Sequence, residues 1–268
     1  MSKETITYPI LKAQGSVVQA TEDIIVREIP LTIFFNNEEI VTVLCSPSQI
    51  EELSIGFLLT EGFIRNQEDL FSLKYEPNNN LIWVKGQSRS VTKQFTNKRF
   101  ISACCGKSRS SFYFANDAFL IKPQTSTVKI SLEEAYKYSE YLSTHSQLFQ
   151  ATGGVHSGGI ARRGNVLLSS YDIGRHNVFD KLFGQAYKTG LDLNDHVIFF
   201  SGRISSEILL KVAKMNIPIV IAKSAPTDLA LKLADELQIT VIGFARQNRL
   251  NIYTHPQRII IPDSTPGR

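Results

Sequence analysis

Three short runs in the second half of the chain have no polar face: VIFFS (197–201), IPIVIA (217–222) and ITVIGF (239–244). A strand without a polar face must be covered on both sides. The intervening segments supply the cover. Ile204, Ile208, Val212 and Met215 recur at helical spacing after the first run, and Leu229, Leu233 and Leu237 after the second. Apolar strands alternating with amphipathic helices predict a largely parallel sheet with helices on both faces.

The same pattern extends in both directions. Ser131 and Glu134 form a capping box that opens a helix running to about Phe149. TGGVHSGGIARRGNVLLSSYD (152–172) reads as a hairpin turning at Arg162-Arg163-Gly164-Asn165. A helix follows from about Arg175, with Val178, Phe179, Leu182, Phe183 and Ala186 on one face, and stops at Gly190. RLNIYT (249–254) adds a last strand. The predicted order is α-β-β-α-β-α-β-α-β. Residues 1 to about 124 differ: IIVREIP, LTIFF, EEIVTVLC and LIWVKG are β-rich runs separated by turn residues. One helix interrupts them, with Ser46 as its cap, Pro47 as its first residue, Gln49 completing a capping box and Gly62 ending it. The expectation is a smaller β-rich N-terminal domain (1–124) and an α/β domain (125–268), joined by KPQTST (122–127).

Composition narrows the function classes. The chain has 268 residues and a net charge of +4, from 29 basic and 25 acidic side chains. That excess is too small for a dedicated nucleic-acid binder, yet it suits an anionic ligand in a local basic cleft. No segment approaches the ~20 apolar residues of a membrane span, and the N-terminus lacks the apolar run of a signal peptide. The expected location is the cytoplasm, without membrane or nucleic-acid partners, where thiols stay reduced.

In open α/β sheets, ligands bind beyond the carboxyl ends of the strands. Four loops occupy such ends: Asp172 to Asn177, Ser201 to Arg203, Lys223 to Thr227, and Phe244 to Arg249. Each carries Arg or Lys, and three lead into helix N-termini. Free backbone N–H groups, the helix dipole and a guanidinium fork together favour phosphate. The alternative reading makes Asp172 and Ser224 simple helix caps and the arginines solvated. The four glycines of TGGVHSGG (152–159), beside His156, fit either a tight entry into the hairpin or the close approach of a ligand.

The chain has three cysteines. Cys45 ends an apolar strand and reads as a buried thiol. Cys104 and Cys105 are adjacent in ISACCGKSRSSF (101–112), among small and polar residues, with Lys98, Arg99, Lys107 and Arg109 close by. Neighbouring cations favour the thiolate, which is the nucleophile. No further Cys or His has the spacing of a zinc site. A reactive thiol is favoured over a structural metal, with a packed, inert pair as the alternative.

The helix-hairpin-helix-strand order resembles the cytidine deaminase-like fold. That family carries His-x-Glu at the first loop and Pro-Cys-x-x-Cys at the second. Here those places read Gly174-Arg175-His176-Asn177 and Ser201-Gly202-Arg203-Ile204, so zinc is not expected. Six motifs in order (ISACCGKS, TGGVHSG, YDIGRHNVFDK, SGRISSE, KSAPTDLA and IGFARQNRLNIYT) then make the chain resemble the FdhD family of formate dehydrogenase accessory proteins, from about Ile24 to Arg258. The resemblance implies a homodimeric sulfurtransferase-type carrier with a deaminase-like domain. It would accept persulfide sulfur from a cysteine desulfurase. It would pass that sulfur to the bis-molybdopterin guanine dinucleotide molybdenum cofactor, bound as a substrate, for insertion into formate dehydrogenase. Cys105 keeps the register of the family's Cys-x-x-Cys-Gly-Lys loop, whereas Ser102 stands where the first cysteine would be. Cys105 is therefore the expected carrier and Cys104 a possible partner. The family's cofactor segment maps to Phe244, Ala245, Arg246, Gln247, Asn248 and Arg249, with Arg175, His176, Arg203 and Ser224 joining from the other loops. A non-catalytic chaperone holding the cofactor or the apo-dehydrogenase, and a deaminase or hydrolase of unusual chemistry, are the competing readings.

Overall fold

The computed structural model describes residues 4–87, 99–101 (backbone only) and 121–261. Cys104, Cys105, Lys107 and Arg109 lie outside the described residues.

The second half forms the predicted layered unit. Helix α2 (Leu132–Thr144) opens with the Ser131–Glu134 capping box, both reciprocal bonds made. It ends before the expected Phe149, and a short helix α3 (Gln147–Thr152) follows. Strands β9 (His156–Arg162) and β10 (Asn165–Asp172) make the hairpin. Its tip has Arg163 at φ 51° and Gly164 at φ 76°, the left-handed pair of a tight hairpin turn. Then come α4 (Arg175–Thr189), β11 (Val197–Phe200), α5 (Ser206–Lys214), β12 (Ile219–Ala222), α6 (Asp228–Glu236), β13 (Thr240–Arg246) and β14 (Arg249–Thr254).

The six strands pair in the order β10-β9-β11-β12-β13-β14. β11, β12 and β13 are parallel, while β9 is antiparallel to both its neighbours and β14 is antiparallel to β13. The apolar strands are buried on both faces. Val178, Phe179, Ile208, Val212 and Leu233 of α4, α5 and α6 cover one side. Tyr138 and Leu142 of α2 cover the other. Each such side chain contributes about 1.5–3 kcal/mol by leaving water.

The first half is built on a five-stranded sheet, β5-β6-β3-β4-β7. Its strands are β3 (Ile29–Phe35), β4 (Glu38–Cys45), β5 (Leu70–Glu76), β6 (Leu81–Gly86) and β7 (Arg99–Ile101). Helix α1 (Ile50–Thr60) covers one face, and Cys45 is buried beneath it, as its sequence context predicts. Burial pushes the Cys45 thiol up to about 12, so it stays protonated. Ahead of this sheet, β1 (Thr5–Gln14) and β2 (Val17–Val26) form a separate antiparallel ribbon.

The start of α1 differs from the expectation. Its N-cap is Gln49, in the left-handed region at φ 52°, with no side-chain cap bond. Ser46 does not cap the helix, because its hydroxyl is committed to Asp172, 126 residues away. The two halves meet through α1 and α4, and Phe183 and Tyr187 of α4 reach into the first-half core.

Candidate functional site

Alternating strand direction gathers six chain ends at one edge of the six-stranded sheet. The carboxyl ends of β10, β11, β12 and β13 lie there, with the amino ends of β9 and β14. Pairing of His156 with Asp172 brings the start of β9 beside the end of β10. A cleft of about 590 Å³ opens on this edge, lined among others by His156, Ile173, Ser201, Lys223, Arg246 and Phe149.

Ser201 organises the floor. Its N–H donates to the Ser157 carbonyl at 2.9 Å. Its hydroxyl oxygen accepts from the Ser157 N–H at 3.1 Å and lies 3.3 Å from His156 Nδ1. Ser224 Oγ donates to the Ser201 carbonyl at 3.3 Å, which ties the second loop to the third. Arg246 Nε donates to the Lys223 carbonyl at 3.1 Å, tying the fourth loop to the third, and Lys223 Nζ donates to Ser143 Oγ. Lys223 and Arg246 are thus held side by side, with no carboxylate pairing either among the described residues. Burial, then the Arg246 charge, lower the Lys223 pKa. Two adjacent cations without a counter-charge are poised for an anion, which restores the charge balance.

The histidines are tuned toward neutrality. Burial and then Arg175 lower His156, against an opposing pull from Asp172. His176 is pushed down to about 3 by burial, then by Lys211, Arg175 and His156. Its Nε2 lies 3.3 Å from a Glu207 oxygen, without the alignment of a hydrogen bond. Among the described residues no group of three or more His, Cys, Asp or Glu could hold a metal ion.

The predicted site residues that the structure describes fall in four places. Arg246 lines the cleft. Ser224 braces the floor, and His176 packs behind it. Arg175 is half-buried, while Arg203, Phe244, Gln247, Asn248 and Arg249 are exposed around the edge. Ala245 turns inward: its side chain is buried in the core and its carbonyl accepts from Ser139 Oγ. Neither Asp172 nor Ser224 is a helix cap; Gly174, Ser205 and Thr227 stand at the N-cap positions of α4, α5 and α6. Of the four glycines of 152–159, Gly153 supplies a left-handed turn at φ 64° and the other three answer to packing. A Cβ on Gly159 would fall 2.5 Å from the Phe199 ring, and one on Gly154 2.6 Å from Val26. His156, Ser201 and Lys223 lie in segments that the sequence marks for a ligand, though not among the residues mapped to the cofactor. The signal for His156 is the antiparallel hairpin, which turns the start of β9 toward the edge where its neighbours end.

Fold and cleft together define a mixed α/β protein with a basic cleft at one sheet edge. A sequence model described as the FdhD/NarQ family matches residues 26–260. The chain belongs to that family. It is 45% identical over 258 residues to the sulfur carrier protein FdhD of Halalkalibacterium halodurans, covering 96% of each chain. It is 42% identical to the protein of that name from Bacillus subtilis, covering 96% of this chain and 98% of that one. A crystal structure from Desulfotalea psychrophila, described as a candidate formate dehydrogenase accessory protein, superimposes with a TM-score of 0.81. It covers 96% of this chain and 99% of its own at 23% identity, and so speaks for the fold.

Proposed function

We propose that this protein is a cytoplasmic, homodimeric sulfur carrier for formate dehydrogenase maturation, with Cys105 as the carrying thiol. The Cys105 thiolate attacks the terminal sulfur of a persulfide on a cysteine desulfurase. The donor's S–S bond breaks, the donor cysteine leaves as a thiolate, and Cys105 becomes the persulfide. Cys104 assists, and Lys107 and Arg109 favour the anionic sulfur. The acceptor is the bis-molybdopterin guanine dinucleotide cofactor, a large multi-phosphate substrate held by the basic edge and then passed to the apo-dehydrogenase. In this reading the unit from about 125 is a deaminase-like, zinc-free cofactor-binding domain, and the unit before it carries the thiols.

Relatives at 42–45% identity that bear the name sulfur carrier support the reading. The structural observation that carries it furthest is a strand pairing. β7 runs parallel to β4, with Ile101 opposite Val43, so its chain points toward Ser46. Ser46 in turn is bonded to Asp172, at the cleft edge. Cys104 and Cys105 follow Ile101 by three and four residues, within at most ~14 Å of extended chain. A thiol leaving the sheet there starts its path on the side where the cations wait.

The test is intact-mass spectrometry after incubation with a cysteine desulfurase and cysteine, without reductant. One added sulfur atom is expected, lost in Cys105→Ala, reduced in Cys104→Ala and released by a thiol reductant. Equal uptake by wild type and Cys105→Ala refutes the assignment. Full dehydrogenase maturation by a Cys104→Ala/Cys105→Ala double variant would instead favour a chaperone that only holds the cofactor.

A further inference from the structure

The end of β4 is stitched to the end of β10 by a buried polar node that the cleft chemistry does not use. Asp172 and Lys181 are both fully buried, with Lys181 Nζ 2.7 Å from Asp172 Oδ2. The same oxygen accepts from the Ser46 N–H at 3.1 Å and the Ser46 hydroxyl at 3.0 Å. Lys181 Nζ also donates to Ser46 Oγ and to the Tyr171 carbonyl, both at 3.1 Å. On the other side, Asp172 Oδ1 accepts from the Gly174 N–H at 2.9 Å and from Asn177 Nδ2 at 2.7 Å. Asn177 Nδ2 reaches a second acceptor, the Leu44 carbonyl, at 2.8 Å.

Each partner belongs to an element with a defined direction. Leu44 and Ser46 end β4, the strand beside which β7 runs toward the two cysteines. Asp172 ends β10, pairs with His156 and precedes Ile173, and both of these residues line the cleft. A saturated carboxylate thus fastens the end of β4, beside which β7 runs, to the cleft edge. Stability alone gives little reason for such a node. Desolvating two charges is costly, and apolar packing of the same volume often does as well. What an ion pair with these seven directional hydrogen bonds supplies, and apolar packing does not, is a fixed relative placement.

We infer that Ser46, Asp172, Asn177 and Lys181 are positioning residues for sulfur delivery, setting the end of β4 and the adjacent β7 against the cofactor-binding edge. The inference rests on the proposed carrier role of Cys105. It separates two steps. Loading needs only an accessible thiol and a donor protein. Delivery needs the thiol and the bound acceptor to share one geometry, and small misplacements there are costly in rate.

Ser46→Ala and Asn177→Ala each cut one stitch and leave the Asp172–Lys181 pair in place. Each full-length variant is loaded with sulfur by a desulfurase and followed by intact mass. It is then given the molybdenum cofactor and mixed with apo-dehydrogenase, and the rate of appearance of formate dehydrogenase activity is measured. Affinity for inorganic diphosphate serves as a readout of the cleft itself. The expected result is loading and diphosphate affinity at wild-type levels, with activation slowed roughly tenfold to a hundredfold. Activation at the wild-type rate in both variants overturns the inference and leaves the carrier reading standing. Loss of loading together with activation also overturns it, since the node would then only hold the fold. If wild type itself takes up no sulfur at Cys105, the carrier reading fails and this inference falls with it.

Discussion

Gly56 of α1 and Gly184 of α4 mark the place where the two halves touch backbone to backbone. A Cβ on Gly56 would fall 1.8 Å from the Asp180 carbonyl oxygen, and one on Gly184 1.9 Å from that of Glu52. The glycines face reciprocal positions on the opposing helix. Close approach of the helices requires that neither carry a side chain. Gly56→Ala or Gly184→Ala therefore pushes the helices apart and costs about 3 kcal/mol or more. Urea unfolding checks this, and a loss below about 1 kcal/mol would mean that the helices slide past the clash at little cost.

Beside this contact lies a second buried pair. Lys211 Nζ donates to Asp180 Oδ1, and Thr60 Oγ donates to the same oxygen at 2.9 Å. Burial raises the Asp180 pKa, opposed first by Lys211. Lys211→Met leaves that carboxyl without its cation and is expected to cost about 3–5 kcal/mol. The double variant Lys211→Met/Asp180→Leu should recover most of the loss. A double-mutant cycle in urea gives the coupling, and additive losses would count against a coupled pair.

Stability should fall below neutral pH through the histidines. His176 is pushed down to about 3 in the fold, and His156 and His196 are also lowered, burial being the first cause in each. These are bases whose folded pKa lies below the unfolded value near 6.5. Above that value all forms are neutral and the fold is not penalised. Below it the unfolded chain takes up protons first, and for His176 the loss grows by about 1.4 kcal/mol per pH unit until the folded pKa is reached. Glu207, beside His176, limits the effect. Melting curves from pH 7 to pH 4.5 should show His176→Gln losing less than wild type; parallel curves would remove His176 from this account.

Anion affinity should discriminate among arginines that the sequence treats alike. Both arginines are exposed, but Arg246 lines the cleft and is bonded to the Lys223 carbonyl, whereas Arg249 is outside the lining. Arg246→Ala and Lys223→Ala are each expected to weaken diphosphate binding by roughly tenfold, about the worth of one charge-assisted hydrogen bond. Arg249→Ala should change it by less than about twofold. Equal losses at 246 and 249, read by calorimetry, would place the anion outside the cleft.

The residues that read correctly from sequence did so for local reasons. The 131–134 capping box closed as written, because both of its bonds span three residues. Residues 163 and 164 turned the hairpin through their own left-handed conformations. Ser46 misled for the opposite reason: a hydroxyl before a helix start resembles a cap, but its partner lies 126 residues away. Of the ribbon of β1 and β2 the sequence marks only the end, as the start of the β-rich run IIVREIP. Most of its residues are exposed, so no apolar periodicity announced it.

What the chain order determined by itself was the alternation of strands and helices, the apolar faces and the adjacent thiols near basic residues. These follow from periodicities of about two and 3.6 residues and from covalent neighbours. Tertiary structure alone decided that the start of β9 joins the four loops at that edge, that His156, Lys223 and Arg246 line one cleft, and that β4 ends against Asp172. Strand direction and sheet order bring residues from positions 46, 156, 172, 201, 223 and 246 together. Buried charges and hydrogen bonds act on whatever the fold places within about 3 Å, however far apart it lies in sequence.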